Sequence, residues 1–193
     1  MASRSSVAPL SSVRAVAVLD ANVLFPLTLR DTLLRFAASG SYQLRWSRRI
    51  LDEMERNLVA TGTVRSAQAA ALRKAMEEAF PGAMVGGSRS LEAMLLNDPK
   101  DRHVVAAALK ANASTIVTLN LRDFRPLPQG IRAVSPDTFL CELAASLQTS
   151  VLALLTAQAA DFRNPPVSLD LLFRRLRAVA PRFVASAELE RPS

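Results

Sequence analysis

The 193-residue chain holds one cysteine, one histidine and six glycines, and only three of its 24 basic residues, Lys74, Lys100 and Lys110, are lysines. A lone cysteine, Cys141, excludes an internal disulfide, and its neighbours Phe139, Leu140 and Leu143 make it a packed residue; a cytoplasmic setting is the default for such cysteine usage. One His and one Cys also exclude a His/Cys zinc site. No glycine-rich phosphate loop of the usual spacing is present. No stretch reaches the roughly 18 apolar residues of a membrane span. The richest, VLALLTAQAA at 151–160, is soon followed by Asp161 and Arg163, so a soluble protein is expected. The opening MASRSSVAPLSSVR lacks acids but also lacks the apolar core of a secretory signal, and residues 1–13 read as a flexible tail.

Half of the residues are hydrophobic, enough for one substantial core. The net charge is +7 with a pI near 10.9. Arginine's planar fork suits phosphate, and the excess fits a polyanionic partner; a genome rich in Arg codons accounts for it equally well.

Apolar runs of strand character alternate with helical spacing. AVAVL (15–19), YQLRW (42–46), AMV (83–85), TIVTL (115–119) and IRAVS (131–135) read as strands. Between them lie TLLRFAAS, then RRILDEMERNLVA capped by Ser47 with an apolar stripe of Ile50, Leu51, Met54 and Leu58, then SAQAAALRKAMEEAF. A further helix should start at Asp98, with Pro99 at its first position and Asp101 at its third. Ser135-Pro136 opens the helix that reaches Ser146. Strand and helix in alternation imply an α/β fold, a parallel sheet with helices on both faces, over residues 14–146. Residues 147–193 carry helical patterns and no strand. They form a C-terminal helical extension whose stripe Leu169, Leu172, Phe173 and Leu176 faces the main domain, with Arg174, Arg175 and Arg177 on the other side.

Ligands of an open parallel sheet gather beyond the carboxyl ends of its strands, which selects four acids. Asp20 ends the first strand, Glu53 lies in the first two turns after YQLRW, Asp101 opens the helix leading into TIVTL, and Asp123 follows that strand. Singly, each has an ordinary reading as a turn, cap or surface residue. Together they repel: two carboxylates about 4 Å apart cost roughly 4 kcal/mol at an effective dielectric near 20. Mg²⁺ or Mn²⁺ would compensate, because hard cations take carboxylate oxygen and water and activate water against a phosphodiester.

VLDANVLF, WSRRILDEMERNL, NDPKDRHVVAAAL and TLNLRDF resemble, in order, the four signature blocks of PIN-domain nucleases, most closely the VapC-like toxins of type II toxin–antitoxin pairs. The resemblance covers about residues 14–146. It implies a PIN-like α/β/α sandwich, a Mg²⁺- or Mn²⁺-dependent endoribonuclease, frequent homodimers and a small antitoxin partner that occupies the site. Carried over, Asp20, Glu53, Asp101 and Asp123 are the catalytic acids: three hold the metal, and Glu53 joins them or orients the attacking water. Asn22, Asp98, Thr118 and Asn120 support them. Arg102 and Arg125, beside two of the acids in sequence, are candidates for the RNA phosphate. His103, two positions past Asp101, should point to another helical face.

Compact members of that family end near the last sandwich helix, so the extension marks a larger variant. Two other readings share the scaffold: a non-catalytic RNA-binding or assembly module, and a DNA-directed nuclease of the flap-endonuclease kind. A haloacid-dehalogenase-like phosphatase would want Asp where Asn22 stands.

Overall fold

The computed structural model describes residues 14–87, 89–146, 150–163 and 165–191. The tail expected over 1–13 lies outside them, as do residues 147–149 at the start of the extension.

Strands β1 (Val16–Leu19), β2 (Gln43–Ser47), β3 (Met84–Val85), β4 (Thr115–Val117) and β5 (Arg132–Val134) form one parallel sheet in the order β3-β2-β1-β4-β5. Strand β1 is central, with Val18 opposite Arg45 of β2 and Ile116 of β4. Its Ala17, Val18 and Leu19 have no exposed surface, as a parallel strand covered on both faces requires. From β1 the chain winds outward to β2 and β3, then crosses back to add β4 and β5. The winding therefore reverses between β1 and β4, where such sheets open a crevice.

Helices α1 (Ala21–Leu24) and α2 (Leu27–Ala38) connect β1 to β2, and α3 (Arg48–Ala60) and α4 (Ser66–Ala79) lead to β3 through a 3-10 turn at Pro81–Ala83. Then α5 (Arg89–Ala93) and α6 (Arg102–Lys110) lead to β4, and α7 (Pro136–Ser146) follows β5. Ser47 both ends β2 and caps α3, its hydroxyl accepting the Ile50 N–H at 3.3 Å. The stripe Ile50, Leu51, Met54 and Leu58 is buried, as its spacing predicts. Neither α1 nor α5 was visible in the sequence pattern, since four or five residues carry too little of a helical period.

The extension forms α8 (Val151–Asp161), α9 (Leu169–Arg177) and α10 (Pro181–Leu189). Pro181 divides the last two, standing at the first position of α10 where its missing N–H costs nothing. Leu172, Phe173 and Leu176 are buried while Arg174, Arg175 and Arg177 face outward, as the stripe predicted. The extension shares the main core: Phe183 of α10 meets Phe36 of α2 edge-on at 5.8 Å. Polar groups lock the contact. Gln158, wholly buried, donates to the Thr28 carbonyl at 3.0 Å, and Asp137 of α7 accepts from Arg182 Nε at 2.7 Å and the Phe183 N–H at 3.0 Å. Cys141 is half-buried against the core. Among the described residues no single helix is long and apolar enough to cross a membrane.

Candidate active site at the carboxyl edge of the sheet

Asp20 leaves the end of β1 and is only 4 % exposed. One carboxylate oxygen accepts the Ala21 N–H at 2.7 Å, capping α1, and the other accepts the Thr118 hydroxyl at 2.7 Å. Thr118, one residue past β4, is a hub. Its oxygen accepts from Asn22 Nδ2 and from the Asn120 N–H, each at 3.0 Å, while Asn22 Oδ1 accepts the Leu119 N–H at 3.0 Å. Asn120 Nδ2 in turn donates to Asp123. Three of the supporting residues thus tie the end of β1 to the loop after β4, and Asp20 is linked to Asp123 through the Thr118 hydroxyl and the backbone and side chain of Asn120.

The start of α6 differs from expectation. Asp98 does not cap it: its side chain accepts the Lys100 N–H at 3.0 Å, closing a turn over 98–101, and its own N–H donates to the Asp123 carbonyl at 3.2 Å. The Asp98 carbonyl accepts the Asp101 N–H at 2.9 Å, so residues 98–101 form a turn of their own ahead of the helix. The helix begins at Arg102, with Asp101 in the cap position and its carboxylate making no capping bond, so the side chain is left to other partners.

Glu53 stands on α3, and the acids share one electrostatic field. Burial first, then Asp101 and Glu53, push Asp20 from the ordinary 3.8 to about 6 despite two favourable hydrogen bonds. Burial and the Asp123 charge likewise raise Asp101. Glu53 moves the other way because His103 lies against it. His103 Nε2 is 3.4 Å from Glu53 Oε2, and the side chain is 3 % exposed, with Nδ1 buried and lacking a hydrogen-bond partner. The imidazole does lie on a different helical face from Asp101, but that inward face meets α3, so it reaches an acid from another element. Lys100 is the cation among them, with Nζ 3.6 Å from Asp123 Oδ2 and 3.8 Å from Asp98 Oδ2. Neither the His103–Glu53 nor the Lys100–Asp123 contact was read from the sequence, because each joins distant segments.

Of the two arginines expected at phosphate, Arg102 is turned inward, its Nε donating to the Asn97 carbonyl at 3.1 Å, whereas Arg125 is exposed. Beside Glu53 a cavity of about 580 Å³ is lined by Arg48, Arg49, Arg89 and His103, among others.

Four carboxylates from four chain segments therefore influence one another electrostatically at the carboxyl edge of the sheet, two of them held above their ordinary range. A family model described as a PIN domain matches residues 16–122. The chain belongs to the PIN-domain family. Within that PIN domain fall Asp20, Glu53 and Asp101, while Asp123 stands one residue beyond the match. A second model, the VapC50 C-terminal domain, matches residues 136–188, from α7 through most of α10. The chain is 34 % identical over 110 residues to "Putative ribonuclease VapC50" of Mycobacterium tuberculosis (strain ATCC 25618 / H37Rv), a match spanning 55 % of this chain and 65 % of that protein. Among solved structures, PAE2754 from Pyrobaculum aerophilum aligns over 68 % of this chain and 91 % of its own, with a TM-score of 0.48 and 17 % identity.

As the side chains stand, no three Asp, Glu, His or Cys among the described residues converge closely enough to hold an ion directly. The donor set still suits a small hard cation. Mg²⁺ keeps several of its waters and takes one or two carboxylates directly, and the raised Asp20 and Asp101 are groups whose charge a cation would relieve.

Proposed function

We propose that this PIN-domain protein is a Mg²⁺- or Mn²⁺-dependent endoribonuclease and the toxin half of a type II toxin–antitoxin pair. The observation that carries the reading is the placement of Asp20 at the carboxyl end of the central strand, buried and fixed by Ala21 and Thr118, with Asp101 and Glu53 near enough to raise its pKa. Such a site keeps acids charged against burial and mutual repulsion, and the cost is repaid when a divalent cation sits among them. The family membership and the ribonuclease name of the relative support the nuclease class.

In this reading Asp20, Asp101 and Asp123 would hold the metal, and a bound ion would supply Lewis acidity and acidify a water there. Asp20 is fixed by Ala21 and Thr118. Glu53 is kept ionised by His103 on Oε2, which leaves Oε1 to orient or deprotonate the attacking water. Asn120 restrains Asp123, and Lys100, 3.6 Å from Asp123, would offer positive charge to a phosphate bound there. The proposed partners are an RNA substrate, a small cognate antitoxin and a second copy of the chain in a homodimer; the proposed compartment is the cytoplasm.

The test is cleavage of labelled RNA and DNA by purified protein with Mn²⁺ or EDTA. RNA should be cut only with metal, and Asp20→Asn and Asp101→Asn should lower the rate at least about 10³-fold without unfolding, as expected for loss of a transition-state contact of roughly 4 kcal/mol. Equal cutting by both variants, or cutting in EDTA, would refute the assignment. Cleavage of DNA alone would favour the DNA-directed reading, and binding without cleavage the assembly module. Expression should arrest growth, and co-expression of an adjacent small gene should relieve it.

A further inference from the structure

The cavity beside Glu53 has a charge pattern that the acid site does not use. It opens where β2 ends at Ser47 and where the chain leaves β3 near Gly87, and His103 forms part of its wall. Through that imidazole it is one side chain away from Glu53. Its volume of about 580 Å³ lies inside the roughly 300–1,000 Å³ of small-ligand sites, which is room for a nucleotide.

The lining contains three arginines and two acids, and the acids are already engaged. Glu92 pairs with Arg49 at 3.0 Å, and Asp52 pairs with Arg73 at 2.5 Å. Arg48 and Arg89 remain, both exposed and without an ion pair among the described residues. Two uncompensated guanidiniums thus face a nucleotide-sized hollow next to a cluster of carboxylates. Cation and anion are separated in space, so a polyanion is repelled from the acids unless metal is present yet attracted to the ground beside them. A guanidinium fork binds phosphate oxygens in pairs and also stacks on bases. Arg102, by contrast, is committed to the Asn97 carbonyl.

We propose that this cavity seats the nucleotide adjacent to the cleaved bond, with its phosphate held by Arg48 and Arg89. The proposal rests on the ribonuclease reading for which bond is cleaved; binding itself does not need that chemistry. Arg48 and Arg89 act as specificity and positioning residues, and they set affinity and the register of the strand rather than the rate of the chemical step.

The experiment measures a fluorescent single-stranded RNA by anisotropy against the full-length chain in EDTA, where cleavage cannot occur, across a range of salt. Arg48→Ala and Arg89→Ala should each weaken binding about tenfold and reduce the slope of log affinity against log salt by about 0.7, the value for one lost contact to a single strand. Arg174→Ala and Arg175→Ala on the outer face of α9 remove the same charge elsewhere and should leave both quantities within about twofold. With Mn²⁺, the cavity variants should raise KM and keep kcat. The proposal is overturned if the cavity variants bind like the wild type, if the α9 variants weaken binding equally, or if the wild type binds no RNA. Should the wild type fail to cut while the cavity variants alone lose binding, the ribonuclease reading falls and the cavity stands.

Discussion

Replacing Asp20 by Asn should stabilise the metal-free protein while destroying its site. Burial first, with Asp101 and Glu53 adding to it, raises Asp20 from 3.8 to about 6. At neutral pH its ionised form is therefore about 3 kcal/mol more costly in the fold than in the unfolded chain. The folded state holds its proton more tightly than the unfolded one, so this cost is absent below about pH 4, grows as pH rises through about 6, and is constant above. An amide removes the charge but loses a contact. Its oxygen can keep the Ala21 N–H, yet its NH₂ then meets a Thr118 oxygen that already accepts from Asn22 and Asn120, a conflict worth about 1 kcal/mol. The net gain is about 2 kcal/mol, or a rise in Tm of roughly 4–8 °C for a chain of this size.

Thermal unfolding in EDTA at about pH 7.5 and about pH 4.5 tests this, because at the lower pH the charge costs only about 1 kcal/mol and the gain should vanish against the lost hydrogen bond. Saturating Mn²⁺ should reverse the order, since at about a hundred times Kd a bound ion stabilises the wild type by about 2.7 kcal/mol and the variant by less. An Asp20→Asn variant that melts below the wild type at the higher pH, or differs from it by the same margin at both, would refute the claim that burial and repulsion load this carboxylate.

Two further outcomes follow from contacts that cross elements. His103→Phe keeps the volume of the buried ring but removes the group against Glu53 and should lower kcat about 10- to 100-fold, the usual cost of losing a partner that orients a ligand; His103→Gln, whose amide N–H can reach the same oxygen, should recover most of it, and equal losses in both would show that the ring only packs. Asp137→Ala strips the Phe183 N–H and Arg182 of their acceptor and should destabilise the fold by about 2–4 kcal/mol, with proteolysis of α9 and α10 preceding that of the sheet; cleavage that begins in the sheet instead would show that Asp137 does not hold the extension.

The parts legible in the sequence were those set by local rules. The β-rich runs became strands with ends shifted by a residue or two, Ser47 capped its helix, and the stripes on α3 and α9 were buried. The acids were found because topology, rather than any local signal, selects the residues that follow strand ends. What stayed hidden was decided between elements. Asp98-Pro99 has the form of a helix start, but residues 98–101 close a separate turn, anchored to the loop after β4 by the Asp98 N–H on the Asp123 carbonyl. Adjacency to Asp101 suggested Arg102 for phosphate, yet neighbouring residues on a helix diverge by about 100°, and the exposed guanidiniums near Glu53 come from the head of α3 and from α5. His103 was set aside in the sequence for pointing away from Asp101, and it is that same direction that brings it to Glu53.

Among the described residues no hydrogen bond or ion pair joins the extension to the four acids, but it is joined to the segment that carries two of the site's residues. Gln158 of α8 donates to Thr28 on α2, and two residues along the same helix the buried Arg30 donates Nη1 to the carbonyls of Leu24, at 2.6 Å, and Phe25, at 3.2 Å. Those carbonyls end α1, the single turn that begins at the Asp20 cap and carries Asn22. A helix of four residues has little stability of its own, so its hold on Asn22, and through Thr118 on Asp20, depends on what secures its last carbonyls. Burial lowers the pKa of Arg30 without removing its charge, and a buried guanidinium needs its acceptors in place. Helix α2 is thus fixed on one side by the extension and on the other by α1. The C-terminal extension is linked through that helix to the single turn that follows Asp20, as a brace behind the site.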